Sequence, residues 1–137
     1  MRVWYPVLIA LSLVGFAVAP VGSSAAVLGG SIQYSKSGGF AGIEESMKID
    51  RDGRGKIARR SFRLSGREGR GLAAAIRRAD LADVRSPKGA SCCDFFSYEI
   101  RYRGRTVSWD EGNDRLVPRR VRELRAMLGE LYERYSG

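Results

Sequence analysis

The sequence contains no histidine, and its only two cysteines are neighbours, Cys92 and Cys93. Without histidine the chain lacks the commonest general base, the usual serine and cysteine triads, and the commonest metal ligand. Two cysteines cannot form a tetrathiolate zinc site, and no Walker-type or dinucleotide-binding loop is present. The sequence therefore predicts a protein that is not an enzyme and that uses no cofactor, metal or small-molecule substrate.

The cysteine pair leaves three alternatives open. Adjacent cysteines can close only a strained ring, so a vicinal disulfide is one state, two free thiols are another, and a bond to a second molecule is the third. A redox role for Cys92 and Cys93 is one interpretation. A structural or incidental role is the interpretation that we favour from the sequence.

Charge is absent from Val3 to Ser35, and the run from Pro6 to Ala19 after Arg2 is almost wholly apolar. This is the layout of a secretory signal, and small residues around Ala25 suit a cleavage site. We predict a signal peptide over residues 1–26 and a secreted or periplasmic protein. An uncleaved N-terminal signal anchor is the alternative, because the run is long enough to span a bilayer. Only in that case would the chain have a membrane as a partner.

Basic residues are in excess, with a formal net charge of +9. The excess is concentrated from Arg51 to Arg85, a segment with 11 basic residues and four acidic ones. Such a block attracts nucleic acid, anionic lipid or an acidic protein, or it is simply a solvated face. Phe62 is its only aromatic residue, so no base-stacking surface is visible and nucleic acid is not the favoured partner.

Alternation of apolar and polar residues predicts a β-hairpin near the C-terminal third of the chain. Its strands cover about Phe95 to Tyr102 and Arg105 to Trp109, and Arg103-Gly104 forms the turn. This register places Ile100 opposite Val107, with the large apolar side chains on one face. A further strand is predicted over Lys56 to Leu64.

Two helices are predicted around this hairpin. Ser65 and Glu68 have the spacing of a capping box, but nearby glycines disfavour the first turn, so the helix is predicted over Gly71 to Ala79. Pro118 opens a final helix with an apolar stripe at Val121, Leu124, Leu128, Leu131 and Tyr135. The fold class is therefore α+β. We predict one small domain over residues 27–137, a mainly antiparallel sheet of four to five strands with two helices packed on one face.

A glycine-rich loop with one large aromatic residue stands between two further predicted strands. Glycine tolerates positive φ and close backbone approach, which suits an exposed loop with an apolar tip. Phe40 either folds back onto its own sheet or projects as an anchor for a partner. The candidate partner-binding residues are Ser37, Gly38, Gly39, Phe40, Ala41, Gly42 and Ile43.

In this loop and in three other motifs, the sequence resembles emfourin and its relatives, which are small protein inhibitors of thermolysin-like metallopeptidases. The other motifs are Leu81-Ala82-Asp83-Val84 after a helix, Asp94-Phe95-Phe96-Ser97-Tyr98 entering a hairpin, and Pro118 opening the last helix. The resemblance spans about Ser31 to Leu131. The chain departs from the pattern in its export signal, an arginine-rich insertion around Arg51 to Arg63, and the cysteine pair.

The resemblance implies an inhibitor whose glycine-rich loop enters the active-site cleft of a zinc metallopeptidase, its protein partner. Thermolysin-like enzymes favour a large apolar side chain just after the cut, a position that Phe40 could fill. With no histidine in the chain and no cysteine in the loop, the loop is expected to plug the cleft rather than chelate the zinc. The alternative is a basic, non-enzymatic binding module for anionic envelope surfaces or an acidic protein, using Arg51 to Arg85.

Overall fold

The computed structural model describes residues 27–89 and 94–137. The predicted signal peptide or anchor at residues 1–26, and the pair Cys92 and Cys93, lie outside the described residues. Within the described ranges, no helix has both the length and the apolar character needed to cross a membrane.

The described residues form an α+β domain in which six strands make one antiparallel sheet in the order β4-β3-β2-β1-β5-β6. The strands are β1 Ile32–Gly38, β2 Ile43–Ile49, β3 Arg54–Ile57, β4 Arg60–Arg63, β5 Phe96–Tyr102 and β6 Arg105–Asp110. The α+β class is confirmed. The expected count of four to five strands is wrong by at least one, because one predicted strand is in fact a hairpin.

That hairpin replaces the strand predicted over Lys56 to Leu64. Ile57 pairs with Arg60, and Ala58 adopts a φ of 49° in the turn between them. In one continuous strand, Ile57 and Phe62 would point to opposite faces of the sheet. The turn places Phe62 opposite Gly55, on the same face as Ile57, where a Cβ on Gly55 would lie 1.9 Å from the Phe62 ring.

The hairpin of β5 and β6 is confirmed in its register. Ile100 pairs with Val107, Tyr98 pairs with Trp109, and Tyr102 pairs with Arg105 across the turn. Both turn residues have positive φ, 47° at Arg103 and 78° at Gly104. This conformation gives a two-residue turn a twist that matches the twist of the two strands. Ile100 and Val107 have no exposed surface, so this hairpin supplies the centre of the core.

Two α-helices complete the domain, α1 at Gly66–Ala79 and α2 at Arg119–Ser136. Short 3-10 helices cover Leu81–Asp83 and Glu111–Leu116. The buried stripes of α1 and α2 and the apolar side chains from one face of the sheet belong to one core cluster. The other face of the sheet carries the alternate, polar residues of each strand, and neither α1 nor α2 covers it.

The first turn of α1 is formed, contrary to the expectation from its glycines. The Ser65 hydroxyl accepts from the Glu68 N–H, and the Glu68 carboxylate accepts from the Ser65 N–H at 2.8 Å, so the capping box is complete. The same carboxylate accepts a 2.7 Å hydrogen bond from the Tyr135 hydroxyl and pairs with Arg134. These bonds join the start of α1 to the end of α2, and they compensate for the flexibility of the glycines.

The contacts of Glu68 make its charge part of the fold. Partial burial raises its pKa, but the hydrogen bonds from Tyr135, Ser65 and Arg134 outweigh this and lower the pKa to about 2. A carboxyl whose pKa is lower in the folded state stabilises the fold fully above its unfolded pKa. That stabilisation is lost as the pH falls through the folded pKa.

We therefore expect wild-type protein to lose stability as the pH falls from about 4.5 towards 2, the range between the ordinary and folded pKa of Glu68. Glu68→Gln should lower the free energy of unfolding at neutral pH by about 1–2 kcal/mol. The variant should also lose less stability than wild type as the pH falls through this range. Denaturant unfolding at a series of pH values measures both effects. Glu123→Gln, at an exposed i,i+4 pair with Arg119, is the matched control. If Glu68→Gln lost as much stability at low pH as wild type does, other carboxylates would be responsible for that loss.

Candidate functional site

The glycine-rich loop forms the four-residue connection between β1 and β2. Gly38 and Ile43 are the last paired residues of the two strands, and the Gly42 N–H donates to the Gly39 carbonyl at 3.1 Å. Gly38, Gly39 and Gly42 have φ values of 97°, 74° and 61°, which side chains other than glycine rarely adopt. The loop is therefore a closed turn whose shape depends on its glycines.

Phe40 lies at the tip of this turn and is 98 % exposed, the highest value among the large apolar residues that the structure describes. It does not fold back onto the sheet, so the packing alternative from the sequence is wrong. An apolar ring held in solvent gains nothing for the fold and is available to a partner. The structure thus leaves Phe40 free to act as an anchor.

The loop is also fixed from the side by the chain that enters β5. The Gly39 N–H donates to the Phe95 carbonyl at 3.3 Å. A Cβ on Gly38 would lie 2.8 Å from that carbonyl oxygen, and a Cβ on Gly39 would lie 2.6 Å from the Phe96 ring. The glycines therefore permit close approach as well as positive φ, and the two segments form one surface.

Phe95 adds a second apolar residue to this surface. It is 46 % exposed, and its ring passes close to Gly112, where a Cβ would lie 3.2 Å away. We placed Phe95 in a strand from the sequence and did not predict that it would share a surface with the loop. The signal was there in the doublet Phe95-Phe96, since neighbouring residues of a strand cannot both point towards the core.

The base of the loop is held by a polar contact on the helix-covered side of the sheet. Lys36 forms an ion pair with Glu45 at 3.4 Å, and its ammonium lies 4.4 Å from the centre of the Phe96 ring. The predicted site residues thus lie together at one end of the central strands, but they differ in exposure. Ser37, Phe40, Ala41 and Gly42 are exposed, whereas Gly38, Gly39 and Ile43 are half-buried.

We expect the two ends of the turn to respond differently to a methyl group. Gly42→Ala should lower the free energy of unfolding by about 1 kcal/mol through backbone strain alone, since a Cβ there meets nothing within 4 Å. Gly39→Ala should cost more, about 1–2 kcal/mol, because the Phe96 ring must also move. Denaturant unfolding compares the two, and equal costs would show that the contact with Phe96 does not constrain the loop.

In the two described ranges, no three acidic, histidine or cysteine side chains converge as a metal site would require. The loop itself offers one apolar ring, small neighbours and backbone groups. These features favour shape-based insertion into a cleft on another molecule.

Comparison of the chain with protein-family models, with characterised proteins and with solved structures gave no match.

Proposed function

We propose that the protein is a secreted or periplasmic inhibitor of a thermolysin-like zinc metallopeptidase, and that it acts by inserting the loop Gly39–Gly42 into the active-site cleft. The observation that carries this proposal is the fully exposed Phe40 at the tip of a hydrogen-bonded glycine turn. The resemblance of Ser37 to Ile43 to the emfourin motif supplies the class of target.

The way the loop is held supports inhibition. A segment already fixed in its bound shape loses little conformational entropy on association, so more of the contact energy remains as affinity. Here the strand pair at Gly38 and Ile43, the turn bond to Gly39 and the bond to Phe95 fix the backbone on both sides of Phe40. Phe95 would then contact the rim of the cleft beside the inserted ring.

In this mechanism the Phe40 side chain occupies the apolar pocket that receives the residue after the cut. The small residues around it let the turn pass between the walls of the cleft. The loop contains no histidine or cysteine, so inhibition does not require a zinc ligand from this chain. The peptidase is blocked because its substrate cannot reach the metal.

The test is an inhibition assay of the purified protein against thermolysin and against the secreted metallopeptidases of its own source. We expect slow or absent substrate cleavage, an intact inhibitor chain after incubation, and inhibition that changes little with added salt, because the anchor is apolar. Failure to inhibit or to capture any of these metallopeptidases would refute the proposal.

A further inference from the structure

The uncovered face of the sheet is a surface that the loop proposal does not use. Its rows of side chains are set by the strand register. Lys56 pairs with Lys48, Lys48 pairs with Gln33, and Gln33 pairs with Arg101, so these four lie in one row across four strands. Arg54 pairs with Arg63 in the neighbouring row. Directly paired residues point to the same face, so five cations share this end of the sheet.

Charge on this face is separated along the strands. The basic rows lie at the end far from the glycine turn. The face carries Glu99, Glu44 and Asp110 nearer the turn, at the level of Ser35 and Ser37 in the register. The block from Arg51 to Arg85 is therefore not one surface. Its residues on α1 belong to the other side of the domain, whereas Lys48 and Arg101 join the basic rows from outside the block.

Two of these cross-strand pairs place like charges directly opposite each other, Lys48 with Lys56 and Arg54 with Arg63. Such pairs cost stability unless an anion neutralises them. None of these four side chains forms an ion pair with any residue in 27–89 or 94–137. Asp50 lies beside these side chains, and its carboxylate already accepts the N–H groups of Asp52 and Arg54 at 2.9 Å.

We infer that Lys48, Arg54, Lys56 and Arg63 form a docking surface for the anionic headgroups of a phospholipid membrane. The four exposed cations border a shallow groove of roughly 550 Å³ that is open to solvent. Phosphate groups in this groove would neutralise both like-charge pairs at once. Each basic residue near an anionic bilayer surface contributes electrostatic attraction that salt weakens.

Two observations favour a membrane over nucleic acid. The basic rows themselves carry no aromatic side chain, and Phe62, which also lines the groove, is half-buried with its ring stacked on Tyr135, the ring centres 4.2 Å apart, so that ring is not free to stack on a base. The chain also enters the domain at this end. The Leu28 N–H donates to the Arg51 carbonyl at 2.9 Å, just after the uncharged N-terminal stretch that the sequence predicts to be a signal peptide or a signal anchor.

Docking through this end would orient the domain. The basic rows would face the lipid, while the acidic residues of the same face would be repelled, so the glycine turn would point away from the membrane. Phe40 would then remain accessible to a peptidase. The membrane surface and the loop are separate sites, and either can exist without the other.

The test compares binding of the purified protein to vesicles of equal parts phosphatidylcholine and phosphatidylglycerol with binding to vesicles of phosphatidylcholine alone. An apolar N-terminus would bind both kinds of vesicle alike, so the ratio of the two affinities reports only the preference for anionic lipid. We expect the variant K48Q/R54Q/K56Q/R63Q to lower that ratio by at least about tenfold. The matched control R67Q/R70Q/R77Q/R78Q removes the same charge from α1 and should stay within about 1.5-fold of wild type.

Circular dichroism and thermal unfolding establish that each variant is folded. If the fourfold variant does not fold, K48Q/K56Q removes one like-charge pair and should still lower the ratio by about threefold. No preference of the wild type for anionic vesicles would overturn the inference. Equal losses in both fourfold variants would overturn it too, because net charge alone would then be responsible. Binding to duplex DNA that depends on the same four residues, without binding to anionic vesicles, would replace lipid with nucleic acid.

Discussion

Replacing Phe40 with alanine is expected to weaken inhibition of the target peptidase by about 30-fold or more, which corresponds to about 2 kcal/mol of binding free energy. The ring is 98 % exposed in the free protein, so its removal should leave the free energy of unfolding within about 0.5 kcal/mol of wild type. An inhibition constant and a denaturant unfolding curve, measured on the same preparation, give both values.

Two further variants sharpen this experiment. Phe40→Leu keeps a large apolar side chain and should retain most of the inhibition. Val27→Ala truncates another exposed apolar residue, next to the Leu28 that contacts Arg51 at the opposite end of the sheet, and should have no effect on inhibition. Loss of stability in Phe40→Ala would mean that the ring supports the fold. Unchanged inhibition and stability would remove Phe40 from the proposed interface.

The sequence was sufficient for those parts of the fold in which one local pattern dominates. The β5–β6 hairpin follows from strict alternation and from Arg103-Gly104, because a single shift in register would have exposed Ile100 and Val107. Helix α2 follows from its stripe of leucines. In both cases a different arrangement would place apolar side chains in water, so the pattern leaves one solution.

The turn at Ala58-Arg59 could not be predicted in the same way, since neither residue is a typical turn former. What requires the turn is a long-range contact, the stacking of Phe62 on Tyr135 of α2. Local propensity carries no information about a partner that lies far along the chain. Similarly, the glycines of α1 disfavour its first turn, and the bonds from Tyr135 and Arg134 to Glu68 become visible only when the helices are side by side.

The candidate loop shows what residue types can and cannot decide. The glycines predicted a tight, exposed turn, and the φ values of Gly38, Gly39 and Gly42 confirm that prediction. The direction of Phe40 was open, because an aromatic residue on a loop can pack or project. The contribution of Phe95 was missed because it depends on β1 pairing with β5, a contact between segments that are distant in sequence.

Replacing Ile100 with alanine should have effects opposite to those of Phe40→Ala: it should lower stability and leave inhibition unchanged. Ile100 is fully buried, pairs with Val107 on one side and with Tyr34 on the other, and belongs to the central strands of the sheet. We expect Ile100→Ala to lower the free energy of unfolding by about 2–5 kcal/mol, and Ile100→Val to lower it by about 0.5–1.5 kcal/mol. At a temperature where Ile100→Ala is still folded, its inhibition constant should match that of wild type. Ile100 pairs with Tyr34, four residues along β1 from Gly38, and the loop beyond Gly38 is held by its own bonds. A small stability change would contradict the central position of this hairpin. A weakened inhibition constant in a folded Ile100→Ala protein would show that the loop depends on the packing of the core, and the separation between fold and interface proposed for Phe40 would then fail.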